Sequence, residues 1–125
     1  MLTDYPVHAT LPAKDLERAK QFYSEKLGLT PESETPGGIF YRSGENSRFL
    51  VFPSGGAASG THTQIGWTVD NIEAEVSALK ARGVVFEEYD SEYLKTVNSI
   101  ATPGPLKTAW FKDTEGNLLG LVQYL

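Results

Sequence analysis

Apolar and polar positions alternate in short runs, interrupted by two stretches at helical spacing, and the same order occurs twice. Val7-His8-Ala9-Thr10-Leu11 alternates. It predicts a strand with Val7, Ala9 and Leu11 on one face and His8 and Thr10 on the other. Pro12 is expected to end that strand. Asp15 suits the N-cap of a helix running to about Leu27, with Leu16, Ala19, Phe22, Tyr23 and Leu27 near helical spacing and Gly28 as the stop. Thr35-Pro36-Gly37-Gly38 reads as a turn. Ile39 to Arg42 and Arg48 to Phe52 read as strands joined by Ser43-Gly44-Glu45-Asn46-Ser47. Pro53 to Gly60 is small, flexible and the only internal linker in the sequence.

The pattern then restarts. Gln64 to Val69 predicts a strand, with Trp67 sharing the parity of Ile65 and Val69 and so packing under a helix. Asp70-Asn71 supplies a cap for a helix to about Arg82, with Ile72, Val76 and Leu79 inward and Gly83 as the stop. Val84 to Tyr89 is the next expected strand, followed by a loop from Asp90 to Pro105. Two apolar runs around Asp113-Thr114-Glu115-Gly116-Asn117 close the chain as a β-hairpin. Overlaying the halves sets His8 on Gln64, Leu11 on Trp67, Asp15 on Asn71 and Leu16 on Ile72, with Gly28 meeting Gly83 after a one-residue gap. That is an internal repeat of strand–helix–strand–strand–strand. Two such units place helices on one side of a sheet and leave the other face concave, a natural small-molecule pocket. The pattern alone also fits two ferredoxin-like or unrelated α+β halves.

Composition narrows the function more than the fold. The 125 residues suit a single domain, and 40% hydrophobic with 22% charged residues is ordinary for a globular protein. A net charge of -5 argues against nucleic-acid or anionic-membrane partners, which demand excess Lys and Arg. The chain has no cysteine, which excludes disulfides, thiolate metal sites and a Cys nucleophile. Met1 to Pro6 has neither a basic region nor an apolar run, so no signal peptide is expected, and no apolar stretch approaches a membrane span. A cytoplasmic protein is the expectation.

Three motifs carry a family resemblance. They are His8 through Leu29, with Asp15-Leu16-Glu17-Arg18-Ala19, Phe22-Tyr23 and Leu27-Gly28-Leu29; Asp70-Asn71-Ile72-Glu73-Ala74-Glu75 with Gly83 to Asp90; and Ala109-Trp110-Phe111-Lys112-Asp113 with Gly116-Asn117 and Gln123. In this order and spacing the chain resembles the vicinal oxygen chelate superfamily of glyoxalases, bleomycin resistance proteins and dioxygenases. The resemblance implies an α+β fold: two βαβββ modules forming a cupped mixed sheet with helices on the outer face. It implies one domain over 1–125, with module one at about 5–53, the linker at 54–60 and module two at about 61–125. A homodimer is also implied.

The resemblance places metal ligands on the first and last strands of each module, which here are His8, about Leu50, Gln64 and Gly120. The resemblance implies carboxylates at the second and fourth of these, yet Leu50 and Gly120 stand there, and no Asp, Glu or His lies from Arg48 to Ser54. One imidazole and one amide fall short of the three firm ligands a catalytic ion needs. No metal and no cofactor are therefore expected. If an ion binds at all, His8, Gln64 and His62 would hold it, although His62 beside the linker reads better as a solvated loop residue. Without metal, His8 is the best candidate catalytic group, as proton acceptor or hydrogen-bond donor. Trp110 and Phe111 face opposite sides, so one of them lines the pocket. The long loop around Tyr93 is expected to cover one end of it. No Ser-His-Asp pattern and no phosphate loop is present. The expected ligand-binding set is His8, Thr10, Leu50, Phe52, Gln64, Tyr93, Trp110 and Gly120. The expected function is small-molecule binding of the bleomycin-resistance type without a catalytic metal. The alternatives are a metal-dependent lyase, isomerase or dioxygenase, and a ligand-responsive interaction module.

Overall fold

Capping chemistry sets the two helices. The Asp15 carboxylate accepts from the Arg18 N–H at 3.0 Å and opens α1 (Leu16–Gln21), and the Asn71 side chain accepts from the Ala74 N–H at 3.1 Å and opens α2 (Ile72–Ala81). The computed structural model describes residues 1–4, 6–56 and 58–125. Beyond Gln21 the first helix widens into a π-helical turn, Phe22–Lys26, and Gly28 ends it at φ +71°. Gly83, at φ +93°, ends the second. Among the described residues no helix is long and apolar enough to cross a membrane.

The strands are β1 (Ala9–Ala13), β2 (Pro31–Thr35), β3 (Gly38–Ser43), β4 (Ser47–Pro53), β5 (Thr63–Thr68), β6 (Leu106–Lys112) and β7 (Leu118–Tyr124). They form two mixed sheets rather than one, with orders β1-β4-β3-β2 and β5-β7-β6. In each, the strand before the helix pairs in parallel with the last strand of its own unit. This is the expected α+β architecture of two strand–helix units.

Four local expectations are corrected. Pro12 lies inside β1, opposite Phe52, because β1 is a sheet edge and gives up no ladder bond to proline. The first strand consequently starts at Ala9, which leaves Val7 95% exposed and His8 just ahead of the strand. Pro31-Glu32-Ser33-Glu34-Thr35, which carries no apolar alternation, is also a strand, supported at the sheet edge by β3. Finally, Val84 to Tyr89 forms no regular strand. Phe86 makes a single bridge to Phe111, and the outer edge of β6 is then taken over by a second bridge, Ala101 to Thr108.

Alternation sends Leu11, Ile39, Tyr41, Phe49 and Val51 of the first sheet, and Ala109, Phe111, Leu119 and Leu121 of the second, into one core with Ala19, Tyr23, Ile72 and Val76 from the helices. The tip of the β6–β7 hairpin then fastens that core to the first helix. The Tyr23 hydroxyl donates to Asp113 at 2.7 Å, and Asn117 bridges Asp113 and the Pro12 carbonyl. Beside it, Arg18 reaches both carboxylate oxygens of Glu115, at 2.8 and 3.1 Å, and the Asp15 N–H adds a third donor. The Glu115 side chain is only 1% exposed.

The Arg18 hydrogen bond lowers the Glu115 pKa from 4.5 to about 2, against the opposing cost of burial. A carboxylate depressed in the folded state adds stability above its unfolded value, and that stability fades as pH falls from about 4.5 toward 2. Glu115→Gln is therefore expected to cost on the order of 2 kcal/mol at pH 7, less than a fully buried pair because Arg18 is half in solvent. The gap between variant and parent should close on acidification. Urea midpoints at pH 7 and pH 3 check this, and a gap that does not narrow would remove the carboxylate from the account.

Candidate functional site: the open face of the sheets

The helices leave the opposite face of each sheet open. β1 and β5 are edge strands of their sheets and approach one another, so the two open faces adjoin. On the first sheet, register aligns Thr10 with Leu50 and Leu50 with Phe40, and next to them Pro12 with Phe52. Leu50, Phe52 and Phe40 are half-buried, and Thr10 is exposed. His8 joins this face from just outside β1 by resting edge-on against Phe40, with ring centroids 5.1 Å apart. The Arg48 guanidinium sits 4.2 Å from the centroid of the same ring. His8, Arg42 and Arg48 line a hollow of about 400 Å³, in which Glu32 accepts from both arginines.

The second sheet contributes a different surface. Gly66 of β5, Gly120 of β7 and Trp110 of β6 lie in one row across it. Gly66 leaves its backbone exposed, and Gly120 beside it is covered by Thr63 and the Trp110 indole. A Cβ built on Gly120 would meet Thr63 Cγ2 at 3.2 Å and Trp110 Cδ1 at 3.5 Å. The indole is held from two directions, by the Nε1–H donating to Thr63 Oγ1 at 3.0 Å and by Tyr89 edge-on at 5.5 Å.

Tyr89 itself is fixed through the long loop. The Glu88 carboxylate accepts from Thr96 Oγ1 at 2.7 Å, from Ser99 Oγ at 2.7 Å and from the Ser99 N–H at 3.1 Å. Those hydrogen bonds, with Thr96 and Ser99 leading, lower the Glu88 pKa. The Thr96 N–H and hydroxyl close back onto the Tyr89 backbone. Asn98 and Ser99 take positive φ, 52° and 73°, to make this turn.

Of the eight residues expected to bind ligand, His8, Thr10, Leu50 and Phe52 share the open face of the first sheet, and Trp110 and Gly120 share that of the second. Gln64 sits where the β5–β7 register breaks between Thr63 and Ile65, and its Oε1 is buried with no hydrogen-bond partner among the described residues. The break brings Thr63 against Gly120. Tyr93 is 91% exposed at the turn between Asp90 and Lys95, which bridge to one another. Of the adjacent aromatic pair, Phe111 is the core residue and Trp110 the open-face one. Trp67 packs on the helix side with Phe49 and Phe111. His62 precedes β5 and contacts Ser59 Oγ at 3.1 Å. Sequence reasoning missed Phe40, Thr63, Gly66 and Tyr89. Only Phe40 was within reach of the sequence, by its parity with Arg42.

The model of the Glyoxalase/Bleomycin resistance protein/Dioxygenase superfamily matches residues 6–121, nearly the whole chain. The chain belongs to this superfamily. Solved structures share the superfamily's fold at low identity. A glyoxalase/bleomycin resistance protein/dioxygenase from Alicyclobacillus acidocaldarius superposes with a TM-score of 0.70 at 21% identity, covering 98% of this chain and 92% of that one. TnmS3, an antibiotic binding protein from Streptomyces sp. CB03234, gives 0.66 at 21% identity over 97% and 98%. The fosfomycin resistance protein FosX from Listeria monocytogenes gives 0.70 at 16% identity over 97% and 93%. No curated protein matches the chain in sequence.

The superfamily's metal chemistry does not fit the residues present. The positions that the resemblance assigns to ligands are His8, about Leu50, Gln64 and Gly120, and among the described residues no three His, Cys, Asp or Glu side chains gather to hold an ion. The closing-strand position is also crowded, since a Cβ there would press on Thr63 Cγ2 at 3.2 Å and touch the Trp110 indole at 3.5 Å.

Proposed function

We propose that this protein binds a flat, largely apolar small molecule on its open face, without a catalytic metal. One observation carries the reading: a tethered indole, seated over Gly120, stands beside the exposed backbone of Gly66, where the resemblance calls for a metal-binding carboxylate. An aromatic wall fixed by Thr63 and Tyr89 is already oriented before a ring arrives, which lowers the entropy cost of stacking. Leu50, Phe52 and Phe40 extend the apolar surface across β1, and His8 and Thr10 offer polar contacts at its border. The superfamily assignment and the likeness to an antibiotic binding protein support the same reading. A cytoplasmic homodimer belongs to this proposal and rests on the family resemblance; sedimentation tests the dimer.

A panel of planar aromatic compounds is expected to include members that raise the melting temperature and quench tryptophan emission. Trp110→Ala should weaken their binding about tenfold or more by removing both stacking and buried apolar area. Metal content is measured in parallel, after loading with nickel, zinc, manganese or ferrous iron and exhaustive exchange. One tightly held ion per chain, lost in His8→Ala, would overturn the metal-free reading. Binding that is indifferent to Trp110→Ala would overturn the platform.

A further inference from the structure

We infer that a cleft on the helix side of the molecule is a second small-molecule site, suited to a compact aromatic amine. The cleft is separate from the open face by construction. Trp67, Phe111 and Leu121 line it, and these alternate along their strands with Gly66, Trp110 and Gly120, which face the other way. Its volume is about 270 Å³, at the lower edge of ordinary ligand pockets, which suits one or two rings rather than a large molecule.

Three features distinguish this cleft from a packing gap. Its walls come from both halves of the chain: Leu27 and Leu29 follow α1, Leu79 comes from α2, and Trp67 and Phe111 come from the second sheet. Leu27, Leu29, Trp67 and Leu79 are only partly buried although packed against the core, so they turn apolar surface to one opening. The Trp67 Nε1–H is already used on Ser43 Oγ at 2.9 Å, which leaves the indole to offer its π surface, nearly parallel (14°) to the Phe111 ring.

The second feature is the π-helical turn. Its wide spacing, with the Leu27 N–H bonded back to the Phe22 carbonyl at 3.3 Å, delivers Leu27 and Leu29 to the wall, and such turns recur at functional sites. The third is charge. Ser43, Thr68 and Glu75 are the polar lining residues, and no Lys or Arg lines the cleft. Glu75 makes no ion pair among the described residues; Arg82, whose guanidinium lies against Gly28 between two of the lining leucines, donates to the Lys26 carbonyl and forms no ion pair with it. An apolar aromatic floor with an exposed carboxylate free of ion pairs in its lining favours a ring that carries an ammonium group.

The test uses Trp110→Phe as the parent, so that Trp67 is the sole indole and the open-face platform does not report. Phenethylamine titration should change Trp67 emission saturably, and ethylbenzene should do so more weakly. Glu75→Gln, an exposed change, should weaken phenethylamine by about two- to fivefold, the scale of an exposed ion pair, and leave ethylbenzene unchanged. Leu79→Phe, which fills the cleft, should abolish both responses in a protein whose melting shows it folded. The proposal is overturned if neither probe gives a saturable response, or if phenethylamine binds Glu75→Gln as tightly as the parent. It is also overturned if folded Leu79→Phe binds undiminished. Because Trp110 is absent throughout, failure here leaves the open-face reading standing, and the reverse holds.

Discussion

Asp113→Ala is expected to destabilise the fold by about 3 kcal/mol or more. Asp113 is 6% exposed and accepts four hydrogen bonds: from the Tyr23 hydroxyl (2.7 Å), Asn117 Nδ2 (2.7 Å), and the backbone N–H groups of Glu115 (2.8 Å) and Asn117 (2.9 Å). Alanine would strand several of these donors away from water. The damage would also spread, because Asn117 holds the Pro12 carbonyl and Tyr23 holds the centre of the aromatic core with Tyr41 and Phe49. Burial and the adjacent Asp113 carboxylate both raise the Tyr23 pKa well above 10.0, so the phenol stays a donor across the working pH range. For a domain of this size, the loss corresponds to a fall of about 10 °C or more in melting temperature. Guanidinium or thermal unfolding of the variant decides the matter. A change below about 0.5 kcal/mol, the usual scale of a surface substitution, would mean that the hairpin tip is not the fastening it looks like.

That residue also shows where the sequence was legible. The motif from Asp113 to Asn117 reads as a turn, and it is one. Its second role, tying β1 and α1 to the last hairpin, depends on pairs 90 to 105 residues apart that no local pattern encodes. The caps at Asp15 and Asn71 and the glycines at Gly28 and Gly83 were readable because capping and left-handed backbone are local chemistry. β2 was not, since an edge strand with both faces near solvent needs no apolar alternation, and Pro31-Glu32-Ser33-Glu34-Thr35 has none. The second unit's missing strand was hidden for the opposite reason. Val84 to Tyr89 looks strand-like, but the edge it would have used is shared with Ala101.

The candidate site divides along the same line. Residues placed by simple alternation, such as Thr10, Leu50 and Trp110, lie on the open face. Thr63 reaches Gly120 only through a register break, and Gly66 matters only because β5 pairs in parallel with β7. A glycine in register with another glycine on the neighbouring strand cannot be seen until the pairing is known. The two halves have also diverged in chemistry. The first sheet's open face carries Phe40 between an imidazole and a guanidinium, and the second carries an indole beside bare backbone.

Gly120→Asp places a carboxylate where the resemblance calls for one in the closing strand, and it is expected to fail as a metal ligand. The new Cβ would stand 3.2 Å from Thr63 Cγ2 and 3.5 Å from Trp110 Cδ1, tighter than ordinary contact on the first count. Gly120 is buried, so the carboxylate would also lose hydration beside the indole with no cation placed to repay it. The two effects together should cost about 2–4 kcal/mol and displace Trp110 from Thr63. Since Leu50 and Gln64 still offer no second anionic donor, no ion should be retained after buffer exchange. Ligand binding on the open face should fall with the lost indole position. Stability and aromatic-ligand affinity of this one variant therefore fall together, with no gain in metal content, if the indole has replaced metal coordination as the site's organising contact. A variant of unchanged stability that held one ion per chain would show instead that the position remains a latent ligand, with His8 and Gln64 able to complete it.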